Sequence, residues 1–118
     1  MSFIQLGSIN ASPASIDTGD SVTMSYSISG DNNAHLEITY SLDSANNIYF
    51  ILPDGGTTKT LPIERMVLDH PLMLVTKGVT ICKILPPPGG QDYSYFDITV
   101  SVTDNTTSDS GNCNITIT

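Results

Sequence analysis

The sequence predicts an all-β chain: one antiparallel β-sandwich of about seven to nine short strands, filling residues 1–118 as a single domain. Three observations carry this prediction. Apolar residues recur at every second position through several stretches, the period of a strand with one buried face. Gly, Pro, Asn and Asp cluster between those stretches at spacings of roughly 8 to 12 residues. Ser and Thr replace Lys and Glu as the main polar residues, and no stretch carries a helical period, so helices are disfavoured.

Phe3 to Ile9 reads as a short opening strand with Ile4, Leu6 and Ile9 inward. Asn10 to Ser15 interrupts it, and Pro13 suits an edge or a crossover between sheets. Ile16-Asp17-Thr18-Gly19-Asp20 is a turn. From Ser21 to Ser29, Val22, Met24, Tyr26 and Ile28 take one face while serines and Thr23 take the other. Gly30 to Ala34 turns. Leu36, Ile38, Tyr40 and Leu42 then alternate with His35, Glu37, Thr39 and Ser41. After another turn, Ile48 to Leu52 is continuously apolar, as in a strand covered on both faces. Pro53-Asp54-Gly55-Gly56 is a strong turn signal, and Thr57 to Ile63 pairs back across it. Residues 64–69 are compatible with at most one helical turn, because Pro71 forbids a longer helix. Leu72 to Val75 begins a strand, Lys77-Gly78 turns, and Val79 to Leu85 forms another β run. Pro86-Pro87-Pro88-Gly89-Gly90 is a stiff connection suited to crossing between sheets. Phe96, Ile98, Val100 and Val102 alternate with polar residues, and so do Cys113, Ile115 and Ile117. The polar stretch Asp104 to Gly111 between them makes the last two strands an antiparallel hairpin.

The net charge is −8, and ten of the twelve acids are aspartates, a turn residue, so the acidity belongs mainly to loops. Lys59, Arg65, Lys77 and Lys83 make no basic patch, which argues against nucleic acid and against anionic membranes as partners. No stretch is long and apolar enough to span a membrane, and Met1 to Leu6 does not resemble a signal peptide. Composition leans towards an extracellular or cell-surface setting. Cys82 and Cys113 allow one disulfide, which would close a loop of about 30 residues and stabilise by roughly 3–4 kcal/mol. Free buried thiols are the alternative.

Catalytic signatures are lacking. His35 and His70 stand without a nucleophile in a recognisable frame, Glu37 and Glu64 have nothing to separate their acidities, and the paired glycines sit in turns. Catalysis would require a cleft gathering Glu64, Arg65 and His70. The sharper candidate is calcium, which takes six to eight hard oxygens. The Asp104–Asn112 stretch offers Asp104, Asn105, Ser108, Asp109 and Asn112, and a hairpin tip is a place where such oxygens converge.

Two resemblances add to this reading. Residues 12–29, SPASIDTGDSVTMSYSIS, resemble the first two strands of bacterial immunoglobulin-like and fibronectin-III-like modules, where a Ser-Pro segment and a Gly-Asp turn lead into an alternating strand. The likeness covers about 20 residues. It implies an immunoglobulin-like sandwich, with a jelly roll as the alternative, and a role in adhesion, carbohydrate handling or spacing. In such folds a tyrosine at the start of the penultimate strand bonds back to the preceding crossover, a role open here to Tyr93 or Tyr95. The Asp104–Asn112 stretch is similar to the calcium loop of small galactose-binding bacterial lectins, with Asp104, Ser108 and Asn112 in matching places and Gly111 where those lectins carry an Asn. That similarity implies a calcium ion bridging protein to sugar hydroxyls.

The expectation is therefore a non-catalytic binding or adhesion module of a surface, secreted or appendage protein, meeting a carbohydrate or protein partner through end loops or a sheet edge. A calcium-dependent lectin and a self-assembling coat or appendage subunit, hence a homo-oligomer, are the alternatives.

Overall fold

The structure, a computed structural model, describes residues 3–118. Eleven strands form two sheets, and no helix occurs among the described residues. The first sheet contains β1 (Ile4–Leu6), β2 (Asn10–Ser12), β4 (Ser21–Gly30), β6 (Ile48–Ile51), β7 (Thr57–Thr58) and β9 (Leu72–Lys83). Its order is β1-β4-β9-β6-β7, with β2 also on β4. The second contains β3 (Ser15–Ile16), β5 (His35–Leu42), β8 (Glu64–Val67), β10 (Tyr95–Thr103) and β11 (Ser108–Ile117), in the order β3-β11-β10-β5-β8.

Period-two alternation builds the core as the sequence predicts. Val22, Met24, Tyr26 and Ile28 from β4 are buried in one cluster with Leu36, Ile38, Tyr40 and Leu42 from β5. Phe96, Ile98, Val100 and Val102 from β10, with Ile115 and Ile117 from β11, complete it. Tyr26 and Tyr40 reach across from opposite sheets and join hydroxyl to hydroxyl, their rings edge to face with centroids 6.2 Å apart.

Several expectations are corrected. The sheets are not purely antiparallel. The opening strand is split: β1 and β2 run antiparallel to β4, and after the cis Ser12–Pro13 peptide the chain crosses to the second sheet, where β3 runs parallel to β11. That division, with the two-residue β7, also takes the strand count beyond about nine. Residues 64–67 form strand β8 rather than a helical turn, because Glu64 and Met66 face inward and the backbone pairs with β5. Lys77-Gly78 is not a turn: β9 runs straight through, with Lys77 opposite Met24 and Gly78 opposite Thr23. The last hairpin turns over residues 104–107 only, and Ser108 to Gly111 pair with β10. Gly111 serves packing instead of a turn, since an added Cβ would lie 2.9 Å from Ile9 Cδ1.

Cys82 and Cys113 are both free thiols, and they lie in different sheets. Cys82 alternates with inward Val79 and Ile81, so it faces outward, whereas Cys113 packs against the core. Of the two alternatives, a disulfide or free thiols, the structure has free thiols. Burial raises both thiol pKa values, with Asp97 adding to the effect at Cys113.

Candidate functional site

The free sides of the sheets differ in kind. Outer strands invite another chain unless they are short, charged, bulged or interrupted by proline. The β1–β2 edge is broken between Leu6 and Asn10 and ends at Pro13. β3 and β7 have two residues each. β8 carries Glu64 and Arg65. β11 is covered by β3 only at Thr116 and Ile117, but its open stretch from Ser108 is mainly polar and Asp109 on it accepts the Leu6 N–H of β1. On β9, too, only the last residues, Thr80 to Lys83, are covered by the neighbouring strand, β6, and here the open stretch is mainly apolar. From Leu72 to Val79, β9 pairs with β4 on one side and, among the described residues, with no strand on the other.

The register tells which groups face the gap. Gly30 N–H donates to Pro71 O, Ile81 N–H donates to Asp20 O, and Ile81 O accepts from Gly19, so odd-numbered residues of β9 point at β4. Alternation then aims the N–H and C=O of Leu74, Thr76 and Gly78 into the gap. On that same side the Ile84 N–H meets Asn47 O, continuing the line of β6. The open stretch is eight residues, about 26 Å at strand rise. Lys77 is its only charged residue. Leu72 and Leu74 stand exposed on its outer face, at 56% and 79%. On its inner face Met73 and Val75 are only partly covered, as is Met66 of β8.

Where β6 stops and the gap begins, a cleft of about 460 Å³ opens between Ile51-Leu52-Pro53, Leu61-Pro62-Ile63 and the β9 backbone at Gly78. Pro53 stops the β6–β9 pairing, since proline lacks the N–H that would extend it opposite Gly78. Inward-facing Lys77 and Glu64 form an ion pair that spans the two sheets and lines the cleft. The cleft is within the size range of ligand sites, and its walls are mainly apolar.

Glu64, Arg65 and His70 are not gathered. Arg65 faces the opposite way from Glu64 and pairs with Glu37 at 3.0 Å. The oxygens expected to hold calcium are not brought together either. Asp104 Oδ1 accepts from the N–H groups of Thr106 and Thr107, both at 2.7 Å, closing the turn. Those two N–H groups, Thr107 first, hold its carboxyl below the usual carboxylate range. Ser108 and Asn112 lie on one strand four residues apart, about 13 Å. Asp109 points to the other side of β11, where its Oδ2 accepts the Leu6 N–H at 2.8 Å and ties the two sheets together. No group of three or more His, Cys, Asp or Glu that would suit a metal occurs among the described residues.

The tyrosine expectation resolves differently as well. Tyr93 OH donates to Gln91 Oε1 at 3.1 Å, and Tyr95 is 59% exposed. The proline connection is instead held by Asn47, whose Nδ2 donates to Ile84 O at 2.8 Å and to Asp92 Oδ1 at 3.2 Å. Lys59 takes a comparable structural place. Its Nζ donates to Asn46 O at 2.7 Å, to Ile48 O at 2.6 Å and to Asn46 Oδ1, and it sits 4.1 Å from the Tyr49 ring centroid. This explains the apolar run 48–52: Ile48 and Phe50 fill the core, Tyr49 covers Lys59, and Ile51 with Leu52 wall the cleft.

No protein-family model matches the chain, and no curated protein matches it in sequence. Solved structures do match in fold. The chain is similar to part of the Pseudomonas fluorescens alkylpurine DNA glycosylase AlkC bound to DNA containing an abasic site analog (TM-score 0.51, 16% identity, 97% of this chain and 30% of that one). It is also similar to part of a Bacteroides uniformis beta-glucuronidase (TM-score 0.52, 14% identity, 97% of this chain and 14% of that one). A calcium-binding mutant of beta-glucuronidase 2 from the same organism gives a TM-score of 0.53 at 14% identity, over 97% of this chain and 14% of that one. The chain thus spans less than a third of each of these proteins, and at such identities the likeness shows the fold alone.

Proposed function

We propose that the chain is a non-catalytic binding module, an immunoglobulin-like β-sandwich of a surface, secreted or appendage protein, that takes a protein partner by strand addition at β9. One observation carries the reading: Leu72 to Val79 is a long, unpaired edge with a single charge and exposed leucines, whereas the comparable open stretch of β11, Ser108 to Ile115, is mainly polar and is tied to β1 through Asp109. Main-chain hydrogen bonds supply affinity in strand addition, and alternate side chains supply specificity. The division of the opening strand between the two sheets supports the immunoglobulin-like assignment.

Selection from a displayed random-peptide library against the wild-type chain and Thr76→Pro tests the reading. The Thr76 N–H points away from β4, so proline there removes a gap-facing donor and leaves the β4 ladder intact. Peptides retained by wild type and lost with Thr76→Pro are expected. Peptides retained equally by both proteins refute strand addition.

A further inference from the structure

The edge and the cleft are adjoining parts of one surface, and the cleft narrows what the edge can accept. Resting on the strand-addition reading, we infer that the occupant is an extended polypeptide segment with apolar residues at alternate positions and a large apolar side chain at one end, which seats in the cleft beside Gly78. The gap-facing groups of Leu74, Thr76 and Gly78 demand a backbone, since only a strand presents donors and acceptors at that repeat. Half-covered Met66, Met73 and Val75 demand apolar side chains on the occupant's inner face, because those chains complete an unfinished core. At the Gly78 end the occupant meets Ile51, Leu52, Leu61 and Ile63, with Ile63 48% exposed. An added Cβ at Gly78, on the outer face of β9, would find nothing within 4 Å, so no side chain covers the strand at this end of the gap.

A second folded copy fits less well. Two copies meeting by this edge alone pair at most eight residues each, against the roughly 20–30 residues a side of a standard interface. Each copy also carries a net charge of −8. A loose segment avoids both penalties and adds the area of the cleft.

The test uses the whole 118-residue chain and two acetylated, amidated heptapeptides, Phe-Thr-Val-Thr-Val-Thr-Phe and its twin with Ala at both ends. Placing Phe at both ends lets either strand direction reach the cleft. Titration is followed by amide resonances and hydrogen exchange. The Phe peptide is expected to bind at least about tenfold tighter and to protect the Leu74, Thr76 and Gly78 amides. Ile63→Ser, at a half-exposed wall, is expected to abolish the difference between the peptides, and Thr76→Pro to abolish binding of both. Equal affinity for the two peptides, with the edge amides protected, overturns the anchor and leaves strand addition standing. No protection by either peptide overturns both. A wild-type dimer that Thr76→Pro returns to monomer assigns the edge to a second copy and overturns the inference.

Discussion

Replacing Tyr40 by Phe isolates the polar contact at the centre of the core. Tyr26 and Tyr40 are 4% and 0% exposed, and each hydroxyl has the other as its partner. No buried side-chain nitrogen or oxygen lacks a partner among the described residues. Tyr40→Phe therefore strands the Tyr26 hydroxyl away from water, at a cost of about 1–3 kcal/mol. Tyr26→Phe strands the Tyr40 hydroxyl in the same way. The double variant removes both hydroxyls and keeps both ring shapes, so it should lose less than either single change, about 0–1 kcal/mol. The coupling, the two single losses less the double, is then at least about 1 kcal/mol, above what distant sites show. At about 4 °C per kcal/mol for a domain of this size, each single change lowers the melting midpoint by roughly 4–12 °C and the double by less than about 4 °C. Urea unfolding of the four proteins, with a constant m-value, measures the cycle. Additive losses, or a double variant less stable than both singles, refute the claim that the hydroxyls satisfy each other across the sheets.

Alkaline stability follows from the same pair. Burial raises the pKa of both tyrosines, with their mutual bond adding to the effect at Tyr40 and opposing it at Tyr26. A raised folded-state pKa gives stability that is complete below the unfolded value of about 10 and is lost as pH climbs beyond it. Melting midpoints should therefore fall as pH rises above about 10, and less steeply in the Tyr26→Phe/Tyr40→Phe double variant. Lys59→Met leaves the oxygens of Asn46 and Ile48 without their donor and should cost about 1–3 kcal/mol in urea unfolding. Asp104 has a depressed pKa, so its contribution is present above the unfolded value near 3.8 and lost as pH falls through the folded one; Asp104→Ala should flatten the acid limb of the stability profile. Calcium and a chelator should give the same melting midpoint, because the oxygens of Asp104, Ser108, Asp109 and Asn112 are spread along β11 and its turn; a calcium-dependent rise lost in Asp104→Ala would restore the metal site. Thr76→Pro should change stability by less than about 1 kcal/mol, whereas Val75→Pro, whose N–H faces β4, should unfold much of the protein; equal losses would show that the β9 edge is not open.

Alternation was enough to read β4, β5, β10 and the far half of β11, because a strand with one buried face writes its period directly into the side chains. It also placed Tyr26 and Tyr40 inward, though not in contact with each other. The local signals that misled are those whose meaning depends on a partner. Lys77-Gly78 carries turn residues, yet β4 lies alongside and holds both in an extended strand. Glu64 to Val67 alternates too briefly to separate a strand from a helical turn, and β5 decides the matter. The polar run Asp104 to Gly111 looks like one loop with converging oxygens. Once Ser108 to Gly111 pair with β10, alternation sends Asp109 to one face and Ser108 and Asn112 to the other.

The proposed site lay furthest from sequence reasoning. Nothing in Leu72 to Val79 says that β6 stops at Ile51, or that the gap beyond it is open. Composition and periodicity alone determine an all-β chain, its inward residues and the acidity of its loops, since these depend on each residue's own preference for water or for an extended backbone. Only the tertiary structure decides which strand is left unpaired, which apolar side chains remain half covered, and where the cleft opens. Those features are relations between segments distant in the chain, and they arise from how the two sheets are cut and joined.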